Sequence, residues 1–121
     1  MNCNAKNLGG VALVETSGRI DLSNAEAFKD ALSAALASAE RALVIDLAGV
    51  DYISSAGLRS LMIVFKAGKA AGKGFGITGL QPLLMEIFTI SRFNLVFPLF
   101  ERTRDAFEKL APDALPLLDA Q

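Results

Sequence analysis

Histidine and tryptophan are absent from this 121-residue sequence, which contains only one cysteine and one tyrosine. Without histidine, the chain lacks the side chain that most often serves as a general base near neutral pH and as a zinc ligand. No Walker or hydrolase motif is present, and the acidic residues Asp21, Asp46 and Asp51 show no spacing typical of metal ligands. We therefore expect no enzymatic activity, no metal and no cofactor.

Strong net charge and long apolar runs are also missing. A formal charge of -1 provides no basic field for binding nucleic acid. No apolar run reaches the ~20 residues that cross a bilayer, and no N-terminal segment has the pattern of a signal peptide. The single Cys3 allows no intramolecular disulfide, which fits a reducing compartment. These features predict a cytoplasmic protein without membrane insertion.

Apolar residues, by contrast, are abundant at 52% of the chain. Such a fraction leaves apolar surface for partners or for self-association, and we expect a monomer or a weak dimer. The length predicts a single domain with one core.

The most informative stretch runs from residue 42 to residue 66. It begins with a β-branched apolar run, Leu43 to Leu47, that is typical of a strand buried on both faces. A loop is predicted over residues 48–53. Ser54 and Ser55 then precede a helical pattern that runs from about residue 56 to residue 71 and ends near Gly72, a typical C-terminal cap.

Strand and helix patterns alternate along the rest of the chain. A hairpin precedes a first helix, which the capping-box pair Ser23 and Glu26 is expected to start. A third helix is predicted from Pro82 to about residue 90, followed by an edge strand near residues 96–100 and a final helix. This order predicts an α/β fold, a mixed four- to five-stranded sheet with about four helices packed against it.

Gly74, Gly76 and Gly79 spell G-x-G-x-x-G, the spacing of a dinucleotide-binding loop. In such a loop the glycines follow a strand and open a helix, whereas here they fall within the predicted strand itself. We therefore do not predict a dinucleotide site.

The two serines stand where the first turn of a helix favours negative charge. Either serine can cap the helix, and either can carry a phosphate; the residues alone leave both uses open. A basic stripe, Arg59, Lys66, Lys69 and Lys73, follows on the same helix beside Ile63. That stripe is either a docking surface or an ordinary solvated face.

The stretch D-L-A-G-V-D-Y-I-S-S-A-G-L-R-S-L, residues 46–61, resembles the signature segment of the STAS family, in particular its single-domain bacterial anti-sigma factor antagonists. The segments S-G-R-I-D-L, G-F-G-I-T-G-L, I-S-R-F-N and F-P-L-F resemble further family blocks in the same order, from about Val11 to about Leu110. The resemblance implies a STAS domain over residues 1–112. Residues 113–121 lack a sustained pattern and are expected to form a flexible C-terminal tail.

The resemblance also implies a mechanism of partner switching. An unphosphorylated antagonist of this kind binds an anti-sigma factor that is also a serine kinase, and the sigma factor is released. Phosphorylation at the turn abolishes binding, and a metal-dependent serine phosphatase reverses it. The family's acceptor stands two residues before the motif's glycine, which implies Ser55 before Gly57, with Ser54 as the second choice.

The implied partner-binding surface surrounds this acceptor. It comprises Asp21, Asp51, Tyr52, Ser54, Ser55, Ala56, Gly57, Leu58, Arg59 and Ile63. An alternative within the family is a constitutive adaptor, for example the soluble subunit of a lipid-transport complex, that docks through the same turn without phosphorylation.

Overall fold

The computed structural model describes all 121 residues and contains one five-stranded sheet in the order β1-β2-β3-β4-β5. The strands are β1 (Asn2–Leu8), β2 (Val11–Ile20), β3 (Ala42–Ile53), β4 (Gly74–Thr78) and β5 (Leu99–Phe100). β1 pairs antiparallel with β2, with Asn2 opposite Ser17, and all other pairs are parallel. The predicted mixed sheet in an α/β fold is confirmed.

Five helices pack on this sheet, slightly more than the sequence predicts. They are α1 (Ala25–Ser38), α2 (Ser55–Ala70), α3 (Pro82–Ile90), α4 (Thr103–Leu110) and α5 (Leu115–Asp119), with 3-10 turns at Phe93–Leu95 and Pro112–Ala114. Pro82 opens α3 as expected. Gly72, with φ +71°, follows the end of α2 in the left-handed conformation that the predicted cap requires. None of the helices combines the length and apolar character that crossing a membrane requires.

β3 is the central strand, and its side chains alternate between two separate cores. Leu43, Ile45 and Leu47 belong to the larger core, which α1, α2 and α3 cover. Ala42 and Val44 belong to the smaller core on the opposite face, which α4 and the C-terminal segment cover. The prediction of a strand buried on both faces is confirmed.

The predicted loop over residues 48–53 is wrong, because β3 continues through it to Ile53. Val50 and Ile53 are fully buried, and the upper part of the strand still pairs with β2, Ile20 opposite Ile53. The pairing between β2 and β3 contains two register shifts, which are typical of β-bulges. Because Val50 and Ile53 are buried, this segment forms strand despite its turn-like composition. The two serines therefore come directly after the central strand.

The predicted capping box at α1 is also wrong. The Ser23 hydroxyl donates to the Asp21 carboxylate at 2.5 Å instead of capping the helix. Asn24 is the N-cap residue, and its side-chain oxygen accepts from the Asp21 backbone N–H at 2.9 Å. Glu26 pairs with Lys29. Asp21 therefore organises the turn between β2 and α1.

The structure corrects the expectation of a loose tail after residue 112. Ala114 is buried in the smaller core, and Leu115 and Leu118 pack against it. The Arg41 guanidinium donates two hydrogen bonds of 2.8 Å to the Asp113 carboxylate. Pro112 and Pro116 stand in the first turns of short helices, where proline is well tolerated. A sequence without clear periodicity still forms helix here because the smaller core fixes it.

Candidate functional site

The serine turn, residues Ile53–Gly57, joins the end of β3 to the start of α2. Ser54 is the N-cap residue of α2, and its hydroxyl accepts a hydrogen bond from the Gly57 backbone N–H at 3.3 Å. Its own N–H donates to the Ile20 carbonyl at 2.9 Å. Ser54 is therefore held by β2 on one side and by α2 on the other, and its hydroxyl serves as the cap.

Ser55 occupies the first position of α2 and is exposed. Its hydroxyl makes no hydrogen bond within the chain, whereas that of the half-buried Ser54 does. A phosphate on Ser55 would lie at the helix N-terminus, where the first N–H groups lack intrahelical acceptors and the macrodipole favours an anion. The two serines therefore differ in their contacts: the Ser54 hydroxyl caps α2, whereas the Ser55 hydroxyl is exposed and unbonded.

Gly57 and Leu58, two of the predicted partner-binding residues, lie in the core. A Cβ at position 57 would stand 2.6 Å from Ile53 Cγ1 and 2.8 Å from Ile20 Cγ2. Leu58 is 3% exposed. The glycine therefore allows the first turn of α2 to pack tightly on the ends of two strands. Both residues pack beneath the serine turn and are buried from solvent.

Asp21 and Tyr52 lie at the same end of the sheet, linked by Arg19. The Arg19 guanidinium carbon is 4.1 Å from the centre of the Tyr52 ring, a cation–π distance. Arg19 Nε also donates to the Asp21 carboxylate at 3.3 Å. Hydrogen bonds from the Ser23 hydroxyl and backbone N–H, followed by the hydrogen bond and the charge of Arg19, hold the pKa of Asp21 below its ordinary value. Asp21 is therefore a fixed carboxylate beside the start of α1.

A groove of about 410 Å³ runs between α1 and α2 beside Ser55. Its floor is closed by Ser60, whose hydroxyl donates to the Ala25 carbonyl at 2.9 Å. Its rim carries two exposed apolar side chains, Leu22 at 83% and Ile63 at 47%. We call this the α1–α2 groove. Four of the predicted residues line it, namely Ser55, Ala56, Arg59 and Ile63.

The sequence-based prediction missed several residues around this site. Leu22 and Lys29 line the α1–α2 groove, and Arg19 joins Asp21 to Tyr52. Leu22 carried a usable signal, an apolar residue between two polar ones in a turn. Arg19 carried none, because its contact with Tyr52 depends on the register of β2 and β3.

Two predicted features, Asp51 and the basic stripe, do not come together at the α1–α2 groove. Asp51 is exposed on β3, does not line the α1–α2 groove and forms no ion pair. The basic stripe is divided: Arg59 lines the α1–α2 groove, whereas Lys69 and Lys73 line a second groove at the sheet edge. The serine turn therefore has one arginine on its own helix beside it rather than a row of cations.

Comparisons with known proteins identify relatives of this chain. Residues 4–99 match a family model described as "Mlab, STAS domain". The chain is 34% identical over 109 residues to BtrV of Bordetella bronchiseptica, assigned as an anti-sigma factor antagonist, covering 90% of this chain and 93% of BtrV. It is 32% identical over 98 residues to the anti-sigma-F factor antagonist RsfB of Mycobacterium tuberculosis, covering 80% of this chain and 79% of RsfB.

Among solved structures, the chain resembles an anti-sigma factor antagonist from Mycobacterium paratuberculosis. The two superpose with a TM-score of 0.82 at 31% sequence identity, over 90% of this chain and 92% of the other. The similarity therefore extends over nearly the whole length of both proteins.

Proposed function

This chain belongs to the STAS-domain family of anti-sigma factor antagonists, and from that premise we propose that it controls an anti-sigma factor through reversible phosphorylation of Ser55. The unphosphorylated form binds an anti-sigma factor that is also a serine kinase, and so frees the target of that factor. The observation that carries the proposal is the difference between the hydroxyl contacts of the two serines in the serine turn. Ser54 is committed to capping α2, while the Ser55 hydroxyl is exposed and unbonded beside an open groove.

In the unphosphorylated state, the partner would contact the serine turn and the α1–α2 groove. Leu22 and Ile63 supply exposed apolar area for such a contact, and Arg59 supplies a donor for carboxylate groups. Apolar anchors that become buried contribute most of the free energy of typical protein interfaces. The surface therefore combines an anchor region with the acceptor hydroxyl.

Phosphorylation would act on the interface and leave the fold intact. The kinase transfers the γ-phosphoryl group of ATP to Ser55 Oγ, which loses its proton as ADP departs. The product carries about −1.5 to −2 charges at a helix end that favours anions. Burying this group against a partner carries a penalty of several kcal/mol, and about 1.4 kcal/mol is a factor of ten in affinity.

Arg59 would add to this effect. It lies one helical turn after Ser55 and lines the same groove, a spacing at which side chains of opposite charge pair. A phosphate on Ser55 would attract the guanidinium and withdraw it from a partner. A metal-dependent serine phosphatase then restores the binding form by hydrolysing the phosphate ester.

In this scheme the chain is a substrate and a ligand of enzymes and is not itself an enzyme. The test combines the purified protein, ATP and a candidate anti-sigma kinase from the same organism. Mass spectrometry then locates phosphate in the wild type and in the matched variants Ser55→Ala and Ser54→Ala. We expect phosphate to disappear only in Ser55→Ala, and the mimic Ser55→Asp to lose binding to the kinase.

Two outcomes would contradict the proposal. Phosphate on Ser54 alone would move the acceptor by one residue. If neither serine is modified while a partner still binds through the serine turn, the chain is a constitutive STAS adaptor, for example of a lipid-transport complex.

A further inference from the structure

A second groove, of about 390 Å³, lies at the side of the sheet beside β4 and β5. One wall is Phe65 on α2, which packs against the larger core, and the other is Leu110 on α4, which packs against the smaller core. Phe75 also lines the groove and is buried. We call this the edge groove. It shares no lining residue with the α1–α2 groove, so it is separate from the serine turn.

Two glycines of β4 allow the walls of the edge groove to lie close to the strand. A Cβ at position 76 would stand 3.0 Å from Phe100 Cε2, and one at position 74 would stand 3.1 Å from Leu110 Cδ2. A side chain at either position would therefore push Phe100 or Leu110 away from β4. Gly74 and Gly76 belong to the G-x-G-x-x-G segment, and their spacing serves this close packing rather than a dinucleotide loop.

The only charged or polar side chains that line the edge groove are three lysines, Lys69, Lys73 and Lys109. None of them forms an ion pair within the chain, although the Lys73 ammonium donates to the Leu36 carbonyl at 2.7 Å. No carboxylate, amide or hydroxyl side chain lines the groove. An ionic contact here therefore requires an anion, and the rest of the ligand would meet phenylalanine, leucine and proline.

This set of side chains excludes several common classes of ligand. A sugar or a nucleoside needs polar partners for its hydroxyl groups or base edges, and a cation needs a carboxylate. A small apolar anion needs neither, because burial of its hydrocarbon part is favourable without hydrogen bonds and its charge can meet the lysines. The volume of the groove also suits a small molecule, since such sites span roughly 300–1,000 Å³.

We propose that the edge groove binds a medium-chain fatty acid in its ionised form, with the alkyl chain on the apolar walls and the carboxylate at the lysines. The Lys69 ammonium lies 5.9 Å from the centre of the Phe65 ring. A carboxylate bound to Lys69 therefore brings the first carbons of the chain beside the aromatic wall. Lys69 and Lys109 are exposed, so both ammonium groups can turn toward the head group while they stay hydrated.

The probe is sodium decanoate below the concentration at which it forms micelles. It is titrated into the isotope-labelled full chain, and the backbone amide chemical shifts are followed. We expect saturable shifts at Phe75 and Leu110 and an affinity that falls as salt concentration rises. Sodium octanoate, which is two CH₂ groups shorter, should bind about fivefold more weakly because less hydrocarbon is buried.

The double variant Lys69→Gln with Lys109→Gln should weaken decanoate binding about fivefold, the effect expected from losing two exposed ion pairs. Glutamine forms helix about as well as lysine, so both helices should remain folded. Lys66→Gln is the matched control, because Lys66 is exposed on α2 but does not line the edge groove. It should change the affinity by less than about twofold.

The charge of the ligand is tested with decylammonium chloride, which has the same chain length and a positive head group. We expect it not to bind. The proposal is overturned if decanoate gives no saturable shifts, if decylammonium binds as tightly, or if Lys66→Gln weakens binding as much as the double variant. Binding of phosphatidylglycerol vesicles without binding of monomeric decanoate would assign this surface to a membrane and also overturn it.

Discussion

The Ser54 hydroxyl accepts a hydrogen bond from the Gly57 N–H at 3.3 Å, and the neighbouring Ser55 hydroxyl has no partner in the chain. Substitutions of these two adjacent serines should therefore have different effects. Loss of Ser54 should affect the folded state, whereas loss of Ser55 should affect only chemistry and binding.

Replacing Ser54 by alanine should lower the free energy of unfolding by about 1 kcal/mol, the usual cost of removing an N-cap side chain. Urea unfolding followed by circular dichroism measures this change. Ser55→Ala is the control and should leave the free energy within about 0.5 kcal/mol of the wild type. Ser54→Asp should keep the cap and the stability. Equal losses for the two alanine variants would contradict the assignment of the cap to Ser54.

Replacing Gly57 by alanine should destabilise the protein by about 1–3 kcal/mol, because the added methyl would overlap the Ile53 and Ile20 side chains. Gly68→Ala on the same helix is the matched control. A Cβ there meets Leu36 Cδ1 at an ordinary 3.5 Å, and alanine favours helix by about 1 kcal/mol over glycine. Gly68→Ala should be neutral or stabilising. Thermal or urea unfolding of both variants decides whether crowding at Gly57 is specific.

Replacing Ser23 by alanine should raise the pKa of Asp21 toward its ordinary value of 3.8, because it removes the hydrogen bond from the Ser23 hydroxyl, the largest cause of the depression. Carboxyl carbon chemical shifts measured across a pH titration give this pKa directly. Ser33→Ala, an exposed serine on α1, is the control and should leave the pKa unchanged.

The same depression has a consequence for acid stability. Because the folded pKa of Asp21 lies below the unfolded value, folding favours the ionised carboxylate. The stabilisation is present above pH 3.8 and is lost as pH falls through the folded pKa. Asp21→Asn should therefore flatten the dependence of stability on pH in this acid range. If the dependence of stability on pH is unchanged in Asp21→Asn, the ionised Asp21 carboxylate does not stabilise the fold.

Replacing Leu22 or Ile63 by serine should weaken binding to the proposed anti-sigma partner by more than about 1 kcal/mol, roughly fivefold, while stability changes little. Both side chains are exposed at the rim of the α1–α2 groove. Leu83→Ser is the control, because Leu83 is 49% exposed on α3, outside this groove. Isothermal titration calorimetry measures the affinity of each of the three variants for the partner. Equal affinity for all three variants would place the interface elsewhere.

A chain that ends at Ala111 should be less stable than the full chain by on the order of 2 kcal/mol, because it loses the apolar contacts of Ala114, Leu115 and Leu118. A chain that ends at Asp119 keeps α5 and is the control. Urea unfolding measures both. A truncated chain as stable as the control would show that the C-terminal segment adds nothing to the smaller core.

Much of the fold was predictable because its elements carry strong local patterns. The apolar run from Leu43 to Leu47 identifies the central strand, and the serines before an amphipathic pattern identify the start of α2. The extension of β3 to Ile53 was not predictable, because it depends on pairing with β2 through an irregular register. The ordered C-terminal segment likewise depends on Arg41, distant in sequence.

The candidate site was predictable in part for the same reason. Position relative to a helix start can be inferred from sequence, which is how Ser54 and Ser55 were found. Which of the two hydroxyls is engaged depends on three-dimensional geometry. The burial of Gly57 and Leu58 also depends on three-dimensional geometry. Contacts between elements, such as Arg19 with Tyr52, have no local signature.

The pairing of Asn2 with Ser17 brings the first residues of β1 to the end of the sheet that holds the serine turn. α5 lies toward the opposite end, where Leu117 approaches Gly9. An affinity tag or an immobilisation linker fused before β1 would therefore stand near the proposed kinase contact and obstruct it. Attachment after Gln121 leaves that end of the molecule accessible, so the two fusions should differ in the apparent association rate with the same partner.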